Sequence, residues 1–505
     1  MRIGVDFGTT NSGAAVFDGR RLHFVPLEPA GPLPAVIRST LYVTRDGSIS
    51  IGQQAIDDYY RQNAGRARRL TPRRVGEIEL TFGAVDSVKG YPAGPETFIR
   101  DVYVMVDELE PGRLMRSLKS GLAGAAIETE LLDRAYRLEE LIALYLTELR
   151  RRVEADLGER VDGAVFGRPV HFVDSAGEAN DQRAEGRLRE AAALAGFDDV
   201  TFELEPVAAA LYYNLATPGG ATSSGPRHVL VFDFGGGTLD VTVMRFGRPG
   251  DERALATGGV GEAGDAFERR IMERLLLEHF GRGAMWGGEL ADDLLAARGD
   301  LGRRASPTPI DGPTAPFPDR YTDALVQWQT AVELERPEAL QFLRRVQTSG
   351  SHPSRVRALE SLVTRRAVLR LADEVERAKV TLCDALFAVI RLQEDDVDLW
   401  QPLTRLQFEA LIGDVARRVE RCVLETVARA GLAPEEIDVV VRTGGSAQIP
   451  LFAAMLGRLF GPDRVVAADP FSSVAAGLAI RAAASHGAPS TPGSRPDCGP
   501  GARPT

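Results

Sequence analysis

The sequence predicts an α/β fold of two lobes, about 1–215 and 228–485, each carrying a mixed sheet flanked by helices. Three observations carry that prediction. A strand ending in a carboxylate, a Gly- and Thr-rich turn and a return strand occur at the N-terminus and again from Val229. A loop rich in Gly, Pro and Ser at 216–227 separates the two copies. Around each copy, short apolar strands alternate with helices of amphipathic period. Copies this far apart describe a duplicated domain, one per lobe; the repeats of a solenoid are much shorter.

The elements follow in order. Arg2–Phe7 reads as a buried strand, with Ile3 and Val5 apolar and Asp6 at its end. Gly8–Gly13 is a turn, and Ala14–Phe17 begins the return strand. No element is assigned across 30–120. Leu138, Leu141, Ile142, Tyr145, Leu146, Leu149 and Val153 recur at helical spacing, so a helix covers about 133–156. Val161–Phe172 is a strand running into Arg168-Pro169. Asp181–Ala195 is a helix stopped by Gly196, Val200–Leu204 a strand and Glu205–Leu215 a helix.

The opening pattern then returns. Val229–Asp233 is a strand, Phe234–Thr238 a Gly-rich turn and Asp240–Phe246 the return. Residues 265–280 and 365–392 read as helices, with Pro and Gly clusters between them. The whole stretch, about 265–395, reads as an inserted helical subdomain. Phe408–Ala430 is a helix and Ile437–Val441 a buried strand. Gly444-Gly445-Ser446 and a helix from Pro450 follow. The tail, 486–505, is compositionally disordered.

Composition narrows the function. A 505-residue chain that is 44% apolar buries a large core. Its net charge of −11 argues against a nucleic-acid or anionic-membrane partner, both of which call for a basic surface. Cys383, Cys422 and Cys498 form no CxxC pair, and the six histidines show no metal-binding spacing, which fits a reducing cytoplasm. The opening Met1–Asp6 resembles no signal peptide, and no apolar run reaches the ~18 residues of a transmembrane helix. Lysine occurs only at Lys89, Lys119 and Lys379, among 60 Lys and Arg together. A lysine kept in such a chain is either drift or a place where a compact point charge is needed and the wide guanidinium fork fails.

The two turns carry the chemistry. Asp6 and Asp233 end equivalent strands, where one or two carboxylates suit a hydrated magnesium ion. Gly8, Gly235, Gly236 and Gly237 leave backbone N–H groups bare as an anion cradle, and Thr9, Thr10, Asn11 and Thr238 add polar side chains for phosphate oxygens. One Gly-rich hairpin is an ordinary structural feature; two after matching strands are a nucleotide site. Glu205, taken alone, reads equally as a helix N-terminal carboxylate. Glu376, Lys379 and Cys383 share one helix face, where Glu376 and Lys379 either reach ribose hydroxyls or form an exposed ion pair.

These residues resemble the DnaK-type heat-shock chaperones, within the actin-like ATPase superfamily of two duplicated ribonuclease-H-like lobes around an ATP cleft. Gly4-Val5-Asp6-Phe7-Gly8-Thr9-Thr10-Asn11-Ser12 resembles the first phosphate motif, and Phe232–Val241 the second, nearly letter for letter. Leu118-Lys119-Ser120 stands where the family has its catalytic lysine. Glu205-Pro206-Val207-Ala208-Ala209-Ala210 is similar to its hinge-proximal motif. Glu376-Arg377-Ala378-Lys379 resembles the adenosine-clasping helix, and Gly444-Gly445-Ser446 through Ile449-Pro450 the adenosine motif.

The resemblance implies an Mg-dependent ATPase binding ATP and ADP. Lys119 would orient the attacking water, with Glu205, Asp240 and Thr238 placing it and the metal, which is bound through Asp6 and Asp233. Phosphoryl transfer of this kind is mostly positioning and charge stabilisation. Pro169 and Arg183 match positions that couple nucleotide state to lobe rotation. The family's β-rich substrate-binding domain has no counterpart in the sequence, and an unnamed protein partner or client is expected.

The sequence also departs from the family pattern. Val380 replaces an adenine-stacking arginine, Cys383 a serine, Gln448 a second arginine and Phe471 an aspartate. A non-hydrolysing nucleotide sensor is therefore an alternative. A small-molecule kinase needs a base and substrate pocket that no motif supplies, and a filament former finds no support either way. Gly259–Gly264 fits GxGxxG, but no βαβ unit frames it; Gly264 is assigned instead to a turn beside the nucleotide. Asp6-Phe7-Gly8 and Asp233-Phe234-Gly235 spell DFG without a kinase HRD loop.

Overall fold

The computed structural model describes residues 1–31, 33–63, 66, 69–82, 96–124, 128–131, 134–172, 175, 177–216, 227–246, 253–287, 314–326, 330–469 and 472–484. Most of the 216–227 loop, the 486–505 tail, Lys89, Phe471 and Cys498 lie outside the described residues.

Two large mixed sheets organise the chain. The first has the order Asp199–Leu204, Gly163–Arg168, Arg2–Phe7, Asn11–Phe17, Leu22–Phe24, with Val36–Arg38 also pairing Asn11–Phe17. The second has the order Arg253–Val260, Leu239–Phe246, Arg227–Phe234, Val439–Thr443, Val465–Ala467. Both are built alike. A central strand pairs antiparallel with its hairpin partner and parallel with a strand arriving from later in the chain. Asp6 sits opposite Gly13 in one hairpin, and Asp233 opposite Asp240 in the other.

Near-continuous burial explains these strands. Ile3, Val5 and Phe7 are at most 1% exposed, as are Leu230 through Phe232 and Phe234. Sheets covered on both faces read as apolar runs. The sheets are held together by helices crossing at close quarters. Ser473–Ala484, from the end of the chain, packs on Arg2–Phe7 and on Glu205–Ala216. A methyl on Gly477 would overlap the Ala208 carbonyl, and one on Gly4 would overlap the backbone at Ala479. Small residues at these crossings set the distance between the sheets.

Several expected elements shift. Asn11–Phe17 begins inside the expected turn, which shrinks to residues 8–10. The helix expected over 133–156 runs Leu138–Leu157, because Arg134–Arg137 pairs with Glu128–Leu131. The helix expected over 365–392 is Val368–Asp384, and its last residues form the strand Phe387–Glu394. There Ala388, Ile390 and Leu392 are buried while Phe387, Arg391 and Gln393 are exposed, a period of two.

Between 280 and 365 two prolines start helices, while most of the cluster around 303–319 lies outside the described residues. Pro337–Ser349 and Pro353–Thr364 each carry Pro in the first turn, where its missing N–H is unneeded. The helix expected over Phe408–Ala430 is two, Arg405–Leu411 and Gly413–Arg429; Thr404 caps the first by accepting from the Gln407 N–H. Across 30–120, where no element is assigned from sequence, Thr40–Thr44, Ile49–Ile51 and Gly112–Arg116 form a small sheet beside Gln53–Asn63. Among the described residues no helix is long and apolar enough to cross a membrane.

Candidate functional site

The two Gly-rich turns end equivalent strands and meet across a cavity of about 420 Å³. Thr10 Oγ1 lies where a methyl on Gly236 would go. Each turn is pinned from behind. Ser39 donates to the Gly8 carbonyl at 2.7 Å and Ser446 to the Gly235 carbonyl at 2.6 Å. The Asp265 N–H donates to the Gly236 carbonyl at 2.9 Å. The second turn is also closed on itself, the Gly235 N–H donating to the Thr238 carbonyl at 3.1 Å. Gly444, at φ +85°, needs a residue without a side chain; a methyl there would overlap the Phe234 carbonyl.

Nearly every sequence-predicted site residue lines this cavity. Asp6, Gly8, Thr9, Thr10 and Asn11 come from the first turn. Asp233, Gly235, Gly236, Gly237, Thr238 and Asp240 come from the second. Lys119, Glu205, Glu376, Lys379, Cys383, Gly444, Gly445 and Ser446 complete it. Gly264 does not line it but packs just behind, its would-be methyl 2.9 Å from Ser446 Oγ and 3.4 Å from the Gly236 Cα. Pro169 lines the cavity, whereas Arg183 is exposed and bonds Asn180. Gly259–Gly264 follows an antiparallel edge strand, which rules out a βαβ dinucleotide site.

Charge is concentrated at the phosphate end. Lys119 is 6% exposed, and its Nζ lies 2.5 Å from Glu205 Oε1. Asp233 and Asp240 are 8% and 2% exposed. Burial and then the Glu205 charge push Asp6 up to about 7, with Lys119 pulling the other way. Burial and Glu205 push Asp240 up to about 7 as well, against hydrogen bonds from the Val170 N–H (2.9 Å) and Thr238 (3.2 Å). Asp233 is raised well above the ordinary range by burial, Glu205, Asp240 and Asp6. For Lys119, burial disfavours the ammonium, but Glu205, Asp6 and Asp240 outweigh it and hold the pKa up.

Four carboxylates therefore share one ammonium, a balance that a divalent cation would relieve. Among the described residues no three His, Cys, Asp or Glu groups converge as direct ligands. Asp6 and Asp233 would be the carboxylates to hold a hydrated magnesium ion, which takes one or two such ligands and keeps several waters. Two further atoms lack a partner: Thr10 Oγ1 and Gln448 Nε2, both buried, both on residues lining the cavity.

The other end of the cavity differs from expectation. Glu376 and Lys379 share a helix face, but their charges are engaged. Glu376 Oε2 lies 2.9 Å from Arg38 and 3.6 Å from Arg116, and Lys379 Nζ lies 2.5 Å from Glu268. Arg116 also reaches Asp373 at 3.2 Å. Sequence reasoning missed Arg38, Arg116, Asp373 and Glu268. Their pairings join distant stretches of the chain, and single arginines in an arginine-rich chain carry no local signal. Val380, 57% exposed, and Cys383 and Gln448 line this end without a cation to stack on a base.

Two matching strand–turn–strand units thus meet around a shared acidic cavity in an α/β fold. A family model described as Hsp70 protein matches residues 115–287 and 355–492, well over half of the chain, and the chain belongs to the Hsp70 family. That family has the actin-like ATPase fold. Over 490 residues the chain is 27% identical to Chaperone protein dnaK3 of Synechococcus elongatus, covering 95% of this chain and 49% of that protein. Over 382 residues it is 27% identical to Chaperone protein DnaK of Thermosipho africanus, covering 74% of this chain and 49% of that protein. The chain spans about half the length of the curated relatives it matches.

Proposed function

We propose that this chain is a slow, Mg-dependent ATPase of the Hsp70 type. Two lobes, about 1–215 and 228–485, with an inserted subdomain at about 265–395, close over ATP and through that motion regulate a protein partner in the cytoplasm. The observation that carries the reading is the meeting of the two turns, Thr10 against Gly236, around four carboxylates and one buried lysine.

In this reading the N–H groups of Gly8–Thr10 and Gly236–Gly237 hold the phosphates, while the Gly235 N–H closes the turn on the Thr238 carbonyl at 3.1 Å. Asp6 and Asp233 hold hydrated magnesium, which neutralises charge on the phosphates. Lys119, fixed by Glu205, presents its ammonium to the attacking water, and Asp240 with Thr238 completes the pocket. Glu376, Lys379, Cys383, Gly444, Gly445 and Ser446 surround the nucleoside, with Gly264 supporting them.

A second reading has one specific observation in its favour. Glu376 and Lys379 are ion-paired elsewhere, and the base end lacks a stacking cation, which fits a sensor that binds nucleotide without turning it over. Calorimetric titration of Mg-ATP and Mg-ADP into wild type and Asp233→Ala tests the site itself. Binding that weakens at least about tenfold in the variant supports the assignment; equal binding in both, or none in either, defeats it.

A further inference from the structure

Lys119 sits on a single 3-10 turn, Leu118–Gly121. So short a turn has little internal hydrogen bonding to hold its lysine in one place. The residue before it, Ser117, has φ 56°, a left-handed conformation that a side-chain-bearing residue keeps only when its surroundings impose it. One neighbour holds the backbone that follows the turn. Arg187, on the helix Glu178–Leu194 and 8% exposed, donates Nη1 to the carbonyls of Gly121 (3.2 Å), Leu122 (3.0 Å) and Gly124 (3.3 Å).

The rest of that guanidinium is anchored. Its Nε donates to Glu139, 6% exposed, in the first turn of the helix Leu138–Leu157. On the same side, Leu138 packs so close that a methyl on Gly121 would stand 2.9 Å from its side chain. Two helices thus grip the segment that carries Lys119. Only a rigid fork of five donors can bind a carboxylate on one edge and a fan of carbonyls on the other. Stability does not account for such a pair, because burying an ion pair roughly cancels its own attraction and apolar residues of that size hold a fold as well. Its particular contribution is geometric.

We propose that Arg187 and Glu139 are positioning residues that aim Lys119 into the cavity; the kinetic part of this inference rests on the ATPase reading above. Neither residue lines the cavity. Both act through the backbone of 121–124.

The chain's few lysines make the test direct. Full-length wild type, Arg187→Met, Arg187→Lys and Glu139→Gln are treated with an amine-acylating reagent without nucleotide, and modification of Lys119 and Lys379 is followed by mass spectrometry. Lys379, tied to Glu268 on another helix, reports global loosening. The expected result is Lys119 labelling faster by about tenfold in Arg187→Met, with Lys379 unchanged. Arg187→Lys, which keeps the charge without the fork, rescues little, and Glu139→Gln, which still accepts from Arg187, falls between. Turnover of Mg-ATP by Arg187→Met falls by about a hundredfold while nucleotide affinity stays within about twofold.

Unchanged Lys119 labelling in a folded Arg187→Met overturns the proposal, as does a joint rise of Lys119 and Lys379. If Arg187→Met does not fold, Glu139→Gln is judged by the same criterion. Wild type that releases no phosphate defeats the ATPase reading alone, because the labelling still decides the positioning.

Discussion

Thr10 and Gly236, one on each Gly-rich turn, are in contact: a Cβ added to Gly236 would overlap the Thr10 hydroxyl. At that contact the two turns meet over the cavity. Gly236→Ala therefore forces the turns apart. Overpacking of this kind costs about 1–3 kcal/mol. The expected outcome is a lower melting temperature and weaker Mg-ATP binding. Thr10→Ala in the same molecule removes the overlapping oxygen, leaving the new methyl 3.4 Å from the Thr10 Cβ, and restores most of the melting temperature. Calorimetry on the two single variants and the double variant checks this.

Arg116 bridges to Asp373 and Glu376 on the helix Val368–Asp384, and Arg38 to Glu376. These pairs join Val36–Arg38 of the first sheet and the strand Gly112–Arg116 to a helix from the second half of the chain. Arg116, only 15% exposed along its side chain, leaves Asp373 without this ion pair when removed, while Glu376 keeps Arg38. Arg116→Ala is expected to speed ADP release by about tenfold, read by stopped-flow displacement of a fluorescent analogue. An unchanged rate would mean the pairs do not gate the cleft.

Magnesium removal should matter more here than for an ordinary nucleotide pocket. Asp6, Glu205, Asp233 and Asp240 crowd around the Lys119 ammonium, so polyphosphate entering without metal meets net repulsion. Chelation is expected to weaken ATP binding by about a hundredfold or more. Asp233→Asn should partly offset that loss by removing one negative charge. Titrations with and without chelator, on both proteins, decide it.

Acid stability offers an independent check on the Glu139–Arg187 grip. Burial works to raise the Glu139 pKa, but the Arg187 hydrogen bond and charge outweigh it and hold it below the ordinary carboxylate range. Asp107 is depressed likewise, by Arg66 and two backbone N–H groups against burial. A depressed carboxylate contributes its full stability above the unfolded pKa, about 4, and loses it as pH falls through the folded value. Wild type is expected to lose stability as pH falls below about 4. Glu139→Gln should start less stable at neutral pH and show a shallower decline, measured by urea unfolding at successive pH values.

Much of the fold was legible because its signals are local. Each hairpin carries its own turn chemistry within a few residues, which is why Asp6–Thr10 and Asp233–Thr238 were placed on the cavity from sequence. The resemblance supplied Lys119 and Glu205, which no periodicity could connect. What was missed depended on distance or on competing periods. The stretch 385–392 continues an apolar pattern begun by a true helix, and only alternate burial at Ala388, Ile390 and Leu392 reveals the strand. Pro337 and Pro353 break helices when placed inside them, but here they stand at helix starts. Arg38, Arg116 and Arg187 acquire meaning only from partners brought close by folding.

The central claim is hydrolysis of Mg-ATP at a site built by both turns and aimed by Lys119. Single-turnover release of phosphate from radiolabelled ATP, on wild type and Lys119→Ala matched for bound nucleotide, tests it most directly. The account predicts slow release by wild type and a loss of at least about a hundredfold in Lys119→Ala. Tight binding with no release by wild type, or equal release by both proteins, would contradict it.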